Sequence, residues 1–268
     1  MFINYLRLNF IRYFKGKGAW TTLIFEVLFS FATLIPILLM IGLEGADSFH
    51  ITTGENTEVN VVESYYFIMQ IMFLFPIVIG LMGSRFVCSY YAYRSYNNLE
   101  IGMKHRGLFC LAELFTMYIM SLIILGIFYM ICIFFDLILP DLGSSMLVGS
   151  PLYTISMIFS MIAVLFNQTN DIFFFSKLIR TRGLSFLVFI IFEMFTSAIN
   201  LFIPDKYELV RVALCPTFFT WFDGDTPLFF NEKKILIAVA VIGYLVKNIA
   251  QFIFSVMAFN RKQEERHR

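Results

Sequence analysis

The chain has 268 residues, with 20 Lys and Arg against 19 Asp and Glu, 59% hydrophobic residues and a mean hydropathy of +0.77. Only 15% of residues are charged, against about 25% in soluble domains, so a soluble globular fold is excluded and an integral membrane protein is expected. A net charge of +1 makes no case for a nucleic-acid partner, and the four cysteines and three histidines lack the spacing of a disulfide framework or a metal site.

In chain order, residues 1–18 come first. At about 100° per residue, Phe2, Ile3, Leu6, Phe10, Tyr13 and Phe14 share one arc, with Asn4, Asn9, Arg12 and Lys15 opposite. This is the pattern of an amphipathic helix lying in the membrane interface, a plain extension of the first span being the blander alternative. Six apolar windows follow, at about 20–43, 65–89, 108–135, 152–176, 184–204 and 235–259. Each has the ~20 residues that cross a hydrocarbon core as a helix, and all are too uniformly apolar for barrel strands. The expected fold is all-α, one transmembrane domain of six helices. The first window is longer than a signal-peptide core and no small-residue cleavage site follows it.

The basic residues set the orientation. Arg7, Arg12, Lys15 and Lys17 precede the first window; Arg85, Arg94, Lys104 and Arg106 surround the second connection; Lys177, Arg180 and Arg182 lie between windows four and five; Arg261, Lys262, Arg266 and Arg268 close the chain. The connections at about 44–64 and 136–151 hold acids and no Lys or Arg. Short cytoplasmic loops collect Lys and Arg, so both termini are expected in the cytoplasm of a plasma membrane, and the composition suits a bacterial one.

Within the windows, polar residues carry the information, because a charge near the bilayer centre costs at least ~2.5–3.5 kcal/mol. Tyr244, Lys247, Asn248 and Gln251 form one stripe at helical spacing, and Glu193, Thr196, Ser197 and Asn200 form another. At ~1.5 Å per residue, Glu193 lies roughly 13 Å deep and Lys247 roughly 18 Å. The fifth and sixth spans are therefore expected to face each other with Glu193 and Lys247 paired, as structural glue or as the lining of a substrate route. Thr22, Glu26, Ser30 and Thr33 form a third stripe along the first window, and Asn167, Asn170 and Asp171 fall near the cytoplasmic end of the fourth. Between 205 and 234, "YELVRVALCPTFFTWF" is apolar but broken by Pro216 and followed by "DGDTP". A re-entrant or interfacial hairpin fits this stretch better than a seventh span.

No phosphate loop, HExxH or GxSxG motif occurs, so the chain is not expected to be an enzyme by itself. The order of parts, with an amphipathic N-terminal helix, six spans, a basic insert "YRSYNNLEIGMKHRG" at 93–107 and a broken hairpin before the last span, resembles the permease subunit of type-2 ATP-binding cassette transporters. The resemblance covers nearly the whole chain. It implies that 93–107 is a coupling helix docking on an ATPase subunit through Leu99, Glu100, Gly102, Lys104, His105 and Arg106. It further implies a second permease copy or sister permease as partner, ATP and Mg on the ATPase, and no cofactor on this chain. The small-residue and proline pattern that often follows the coupling element in that family is absent. The Phe- and Met-rich spans suit an amphipathic substrate: a peptide such as a toxin or antimicrobial first, a lipid or drug second, with a non-transport immunity or structural protein as the competing class.

Overall fold

The computed structural model describes residues 1–15, 20–29, 32, 50–53, 57–60, 74–92, 105–138, 151–203, 207, 222–223, 226–227 and 234–264. Among these are the helices α1 (Phe2–Lys15), α2 (Trp20–Phe29), α3 (Phe75–Ala92), α4 (Arg106–Ile138), α5 (Pro151–Ile179), α6 (Arg182–Phe202) and α7 (Lys234–Glu264). Two short antiparallel ladders lie in the connections. β1 (His50–Thr53) pairs with β2 (Thr57–Asn60), and β3 (Phe222–Asp223) pairs with β4 (Thr226–Pro227).

The body is helical, and three of its helices fit a membrane-embedded protein. Arg106–Ile131, Ile158–Ile179 and Ile235–Phe259 are long and apolar enough to cross a bilayer. The windows expected at 20–43 and 65–89 are described only in part, as the shorter apolar helices Trp20–Phe29 and Phe75–Ser89. Helix α6 has 21 residues, which makes it about 30 Å long. Leu99, Glu100, Gly102 and Lys104 of the expected coupling segment lie outside the described residues, as does most of 205–234.

Helices α4 and α5 form a long antiparallel hairpin whose register can be read from its cross-helix pairs. Glu113, Ser121 and Tyr129 on α4 meet Lys177, Thr169 and Met161 on α5, so contacts recur every eight residues along both helices. Two of the pairs are neutral, Ser121 Oγ to Thr169 Oγ1 at 2.7 Å and Tyr129 donating to Met161 Sδ at 3.3 Å. Such interhelical bonds matter in an apolar phase, where no hydrophobic force draws one helix to another.

Helix α5 is central and packs against α3, α4, α6 and α7. That position explains "NQTND": Asn167, Gln168, Thr169, Asn170 and Asp171 are consecutive, point in every direction around the helix, and are all buried. A helix walled on all sides offers its polar groups protein partners on every face. The contacts also fix directions. Gly83 meets Ile172 and Cys88 meets Ser176, so α3 runs parallel to α5; Asp171 meets Gln251 and Arg180 meets Ala258, so α7 does too. Helices α4 and α6 run the other way.

Close approach to α3 depends on two glycines. A Cβ at Gly80 would stand 2.9 Å from the rings of Phe186 and Phe189, and one at Gly83 would stand 2.7 Å from Ile172 and 2.8 Å from Met117. Helices α5 and α6 are joined through only Arg180 and Thr181. Arg180 takes the left-handed conformation at φ 67°, which costs a non-glycine residue roughly 1 kcal/mol. Its guanidinium donates to the Ala258 carbonyl at 3.1 Å and lies 4.9 Å from the Tyr91 ring, fastening the turn to α7 and α3.

On helix α1, Asn9 and Arg12 of the polar arc and Tyr13 of the apolar one turn to the protein. Asn9 and Tyr13 are its buried residues and Arg12 donates to the Phe86 carbonyl at 2.6 Å, while Ile3, Leu8, Ile11 and Phe14 are exposed. The physical reason is the surroundings. Beside an apolar phase, exposed Ile and Phe cost little, and the polar groups are the ones that gain from contact with protein.

Candidate functional site

The ionisable groups of the helical body gather in two layers on α5. The first is near the end where α5 stops and α4 starts. Lys177 is fully buried and ion-paired with fully buried Glu113, and its ammonium lies 4.9 Å from the Phe259 ring and 5.3 Å from that of Phe173. Arg12 of α1 brings Nη2 to 3.8 Å from Glu113 Oε1, with its guanidinium 4.3 Å from the Phe86 ring. One acid thus holds two bases from α1 and α5 against α4. Burial raises the Tyr13 hydroxyl on the same helix well above its ordinary range, with the Glu26 carboxylate adding to it.

The second layer lies six residues back along α5, about 9 Å deeper. Its node is Asp171. Oδ2 accepts from Lys247 Nζ at 2.8 Å and from Asn167 Nδ2 at 3.2 Å, and Oδ1 accepts from Gln251 Nε2. Lys247 also donates to Asn167 Oδ1 at 2.9 Å and lies 5.6 Å from the Phe192 ring. Glu193 of α6 is 8% exposed and follows Phe192, the residue whose ring lies against the Lys247 ammonium.

Lys247 and Gln251 of the stripe expected on the sixth span meet α5. Lys247 forms its ion pair with Asp171, where Glu193 was the expected partner. The reason lies in the packing, since α6 and α7 each dock on α5 and Asp171 stands between them. Gln251 joins the node directly. Asn248 lies on the same face of α7 with both side-chain polar atoms buried and without a hydrogen-bond partner, and Glu193 Oε1 and Gln251 Oε1 are likewise unpartnered. Glu26 on α2 stands apart from this cluster, fully buried with neither carboxyl oxygen partnered.

Of the expected docking residues, His105 and Arg106 are described. His105 is exposed and its carbonyl accepts the Phe109 amide at 3.2 Å, opening α4. The participation of Glu113 and the burial of Lys177 are absent from the sequence reading. Counting from the helix ends does not pair them, since Glu113 stands seven residues into α4 and Lys177 two residues before the end of α5; only the offset of the two helices brings them level. No three His, Cys, Asp or Glu side chains among the described residues come together as a metal-ligand set.

No family model matches the sequence, and neither a curated protein nor a solved structure matches it.

Proposed function

We propose that the chain is the permease subunit of an ATP-binding cassette exporter of the type-2 kind, a six-span domain that moves an amphipathic peptide outward, with lipid or drug export as the alternative. The observation that supports this most is the junction of Arg12, Glu113 and Lys177. It ties α1, the start of α4 and the end of α5 into one stiff end, and α4 begins at Arg106, immediately after the segment that resembles a coupling helix. A displacement applied to Leu99–Arg106 would then move α4 and, through Glu113, the central helix α5 on which the deeper polar cluster sits.

In this reading the basic end faces the cytoplasm, and a partner ATPase carrying Mg and ATP docks on Leu99, Glu100, Gly102, Lys104, His105 and Arg106. A second copy or a sister permease completes the route. The chain hydrolyses nothing itself. The test is co-expression with ATP-binding cassette ATPase subunits and measurement of ATP hydrolysis by the purified complex, with the native segment and with Glu100→Ala or residues 99–106 replaced by a Gly/Ser linker. The expected result is a complex that the replacement uncouples or dissociates; failure of every ATPase to bind ends the permease reading.

A further inference from the structure

Charge is sorted between the inside and the outside of the bundle. Glu26, Glu113, Asp171 and Glu193 are buried, whereas Arg7, Lys15 and Arg85 are exposed. Among the described residues, neither Arg85 nor Lys15 stands within ion-pair distance of an acid.

Arg85 is the more informative of the two. It belongs to the apolar helix Phe75–Ser89 and stands seven residues before the end of α3, about 10 Å back from it. Ser84 beside it is buried, so Arg85 is carried on the outer face of the bundle. Its Nη1 donates to Thr21 Oγ1 at 2.9 Å, a neutral acceptor. A guanidinium has five N–H donors and grips phosphate oxygens in pairs. A cation on the outside of an apolar helix, near its end, reaches the level where lipid phosphates lie.

Two further contacts bring a second cation and an aromatic ring to the same corner. Arg12 donates to the carbonyl of Phe86, the next residue on α3, at 2.6 Å, and the Tyr13 and Phe86 rings lie 5.6 Å apart. Helix α1 therefore ends against α3 beside Arg85, with Lys15 as its last residue. The Phe14 ring lies 6.5 Å from that of Trp20, which precedes Thr21 at the start of α2 and is 57% exposed. Three helices thus present two cations and an indole, a side chain suited to the boundary between headgroups and acyl chains.

We propose that this corner of α1, α2 and α3 binds the headgroup of an anionic phospholipid from the leaflet at the basic end, with its phosphate on Arg85 and Lys15 and the start of its acyl chains on Trp20 and Phe14. A zwitterionic lipid carries the same phosphate but brings its own ammonium, which the two protein cations repel, so a lipid of net negative charge is preferred. Inorganic phosphate has nothing to lay on the aromatic pair.

This proposal does not depend on the permease reading, and its test uses the full chain alone, with no ATPase. The detergent-purified protein is unfolded thermally with increasing phosphatidylglycerol, with phosphatidylcholine of the same acyl chains, or with inorganic phosphate. A lipid that binds the native state raises its melting temperature by mass action, so phosphatidylglycerol should raise the midpoint and the other two should leave it nearly unchanged. Arg85→Gln should raise the phosphatidylglycerol concentration needed by about tenfold or more, as expected for losing a charged hydrogen-bonding partner, and Lys15→Gln should act in the same direction. Arg7→Gln is the control. It removes the same charge from the exposed side of α1 eight residues away, about 12 Å, and should leave the titration as in wild type. The proposal is overturned if phosphatidylcholine matches phosphatidylglycerol, if inorganic phosphate alone reproduces the rise, or if Arg7→Gln weakens the response as much as Arg85→Gln, the mark of diffuse attraction to a charged micelle. Should Arg85→Gln not fold, Lys15→Gln against Arg7→Gln decides by the same comparison.

Discussion

Lys177 has no exposed surface, three aromatic rings around its ammonium and Glu113 as its ion-pair partner. Removing one member of a buried pair strands the other charge, which costs about 3–5 kcal/mol, whereas replacing both with apolar residues of similar volume is often neutral. Lys177→Met should therefore strongly lower the thermal midpoint of the detergent-purified protein, and Glu113→Leu with Lys177→Met should recover most of the loss. Equal midpoints for the single and the double variant would show that the pair contributes no coupling. Arg12 complicates this in a useful way. It is a second base beside the same acid at 3.8 Å, so Lys177→Met leaves Glu113 partly compensated, and adding Arg12→Met to it should deepen the loss.

At the scale of helices, the interface of α3 is set by what its glycines omit. Gly83→Ala would place a Cβ 2.7 Å from Ile172 and 2.8 Å from Met117, and overpacking of this kind costs about 1–3 kcal/mol. Gly126 on α4 meets nothing within 4 Å of its Cβ position, so Gly126→Ala should be neutral or stabilising, since glycine is the poorer helix former by roughly 1 kcal/mol. Melting temperatures of the two variants, measured side by side, should move in opposite directions or at least differ clearly. A common shift would mean that α3 does not pack as described. The helices themselves were legible in the sequence: windows at 108–135, 152–176, 184–204 and 235–259 correspond to α4, α5, α6 and α7, because twenty apolar residues in a row leave little else to form. The stripe from Tyr244 to Gln251 was legible too, since periodicity reports which residues share a face. Periodicity does not report which neighbour that face meets. Lys247 could reach acids on either of two helices at similar depth, and only the central position of α5 decides for Asp171. The same holds for Arg12, whose arc was legible but not its partners, the Phe86 carbonyl and Glu113.

Across the whole molecule, helix direction and charge agree. Helices α3, α5 and α7 run one way and α4 and α6 the other, which brings Arg12, Arg106, Lys177, Arg180 and Arg182 to one end of the bundle. Helix α6 starts at that end and finishes at the other, while α7 begins at that other end and runs back. The chain therefore leaves α6 and enters α7 on the same side, so the intervening residues make no net crossing. Since basic loops stay in the cytoplasm, a green fluorescent protein fused after Arg268 should fluoresce in intact bacteria and an alkaline phosphatase fused there should be inactive. Inserted after Thr57, in the ladder of the acidic connection, the same reporters should give the reverse pattern. If both sites report the same compartment, the number of crossings between them is even and the window at 65–89 does not span as expected. If both are inverted, the bundle is placed correctly but its basic end faces outward, which would remove the cytoplasmic ATPase from reach of Leu99–Arg106.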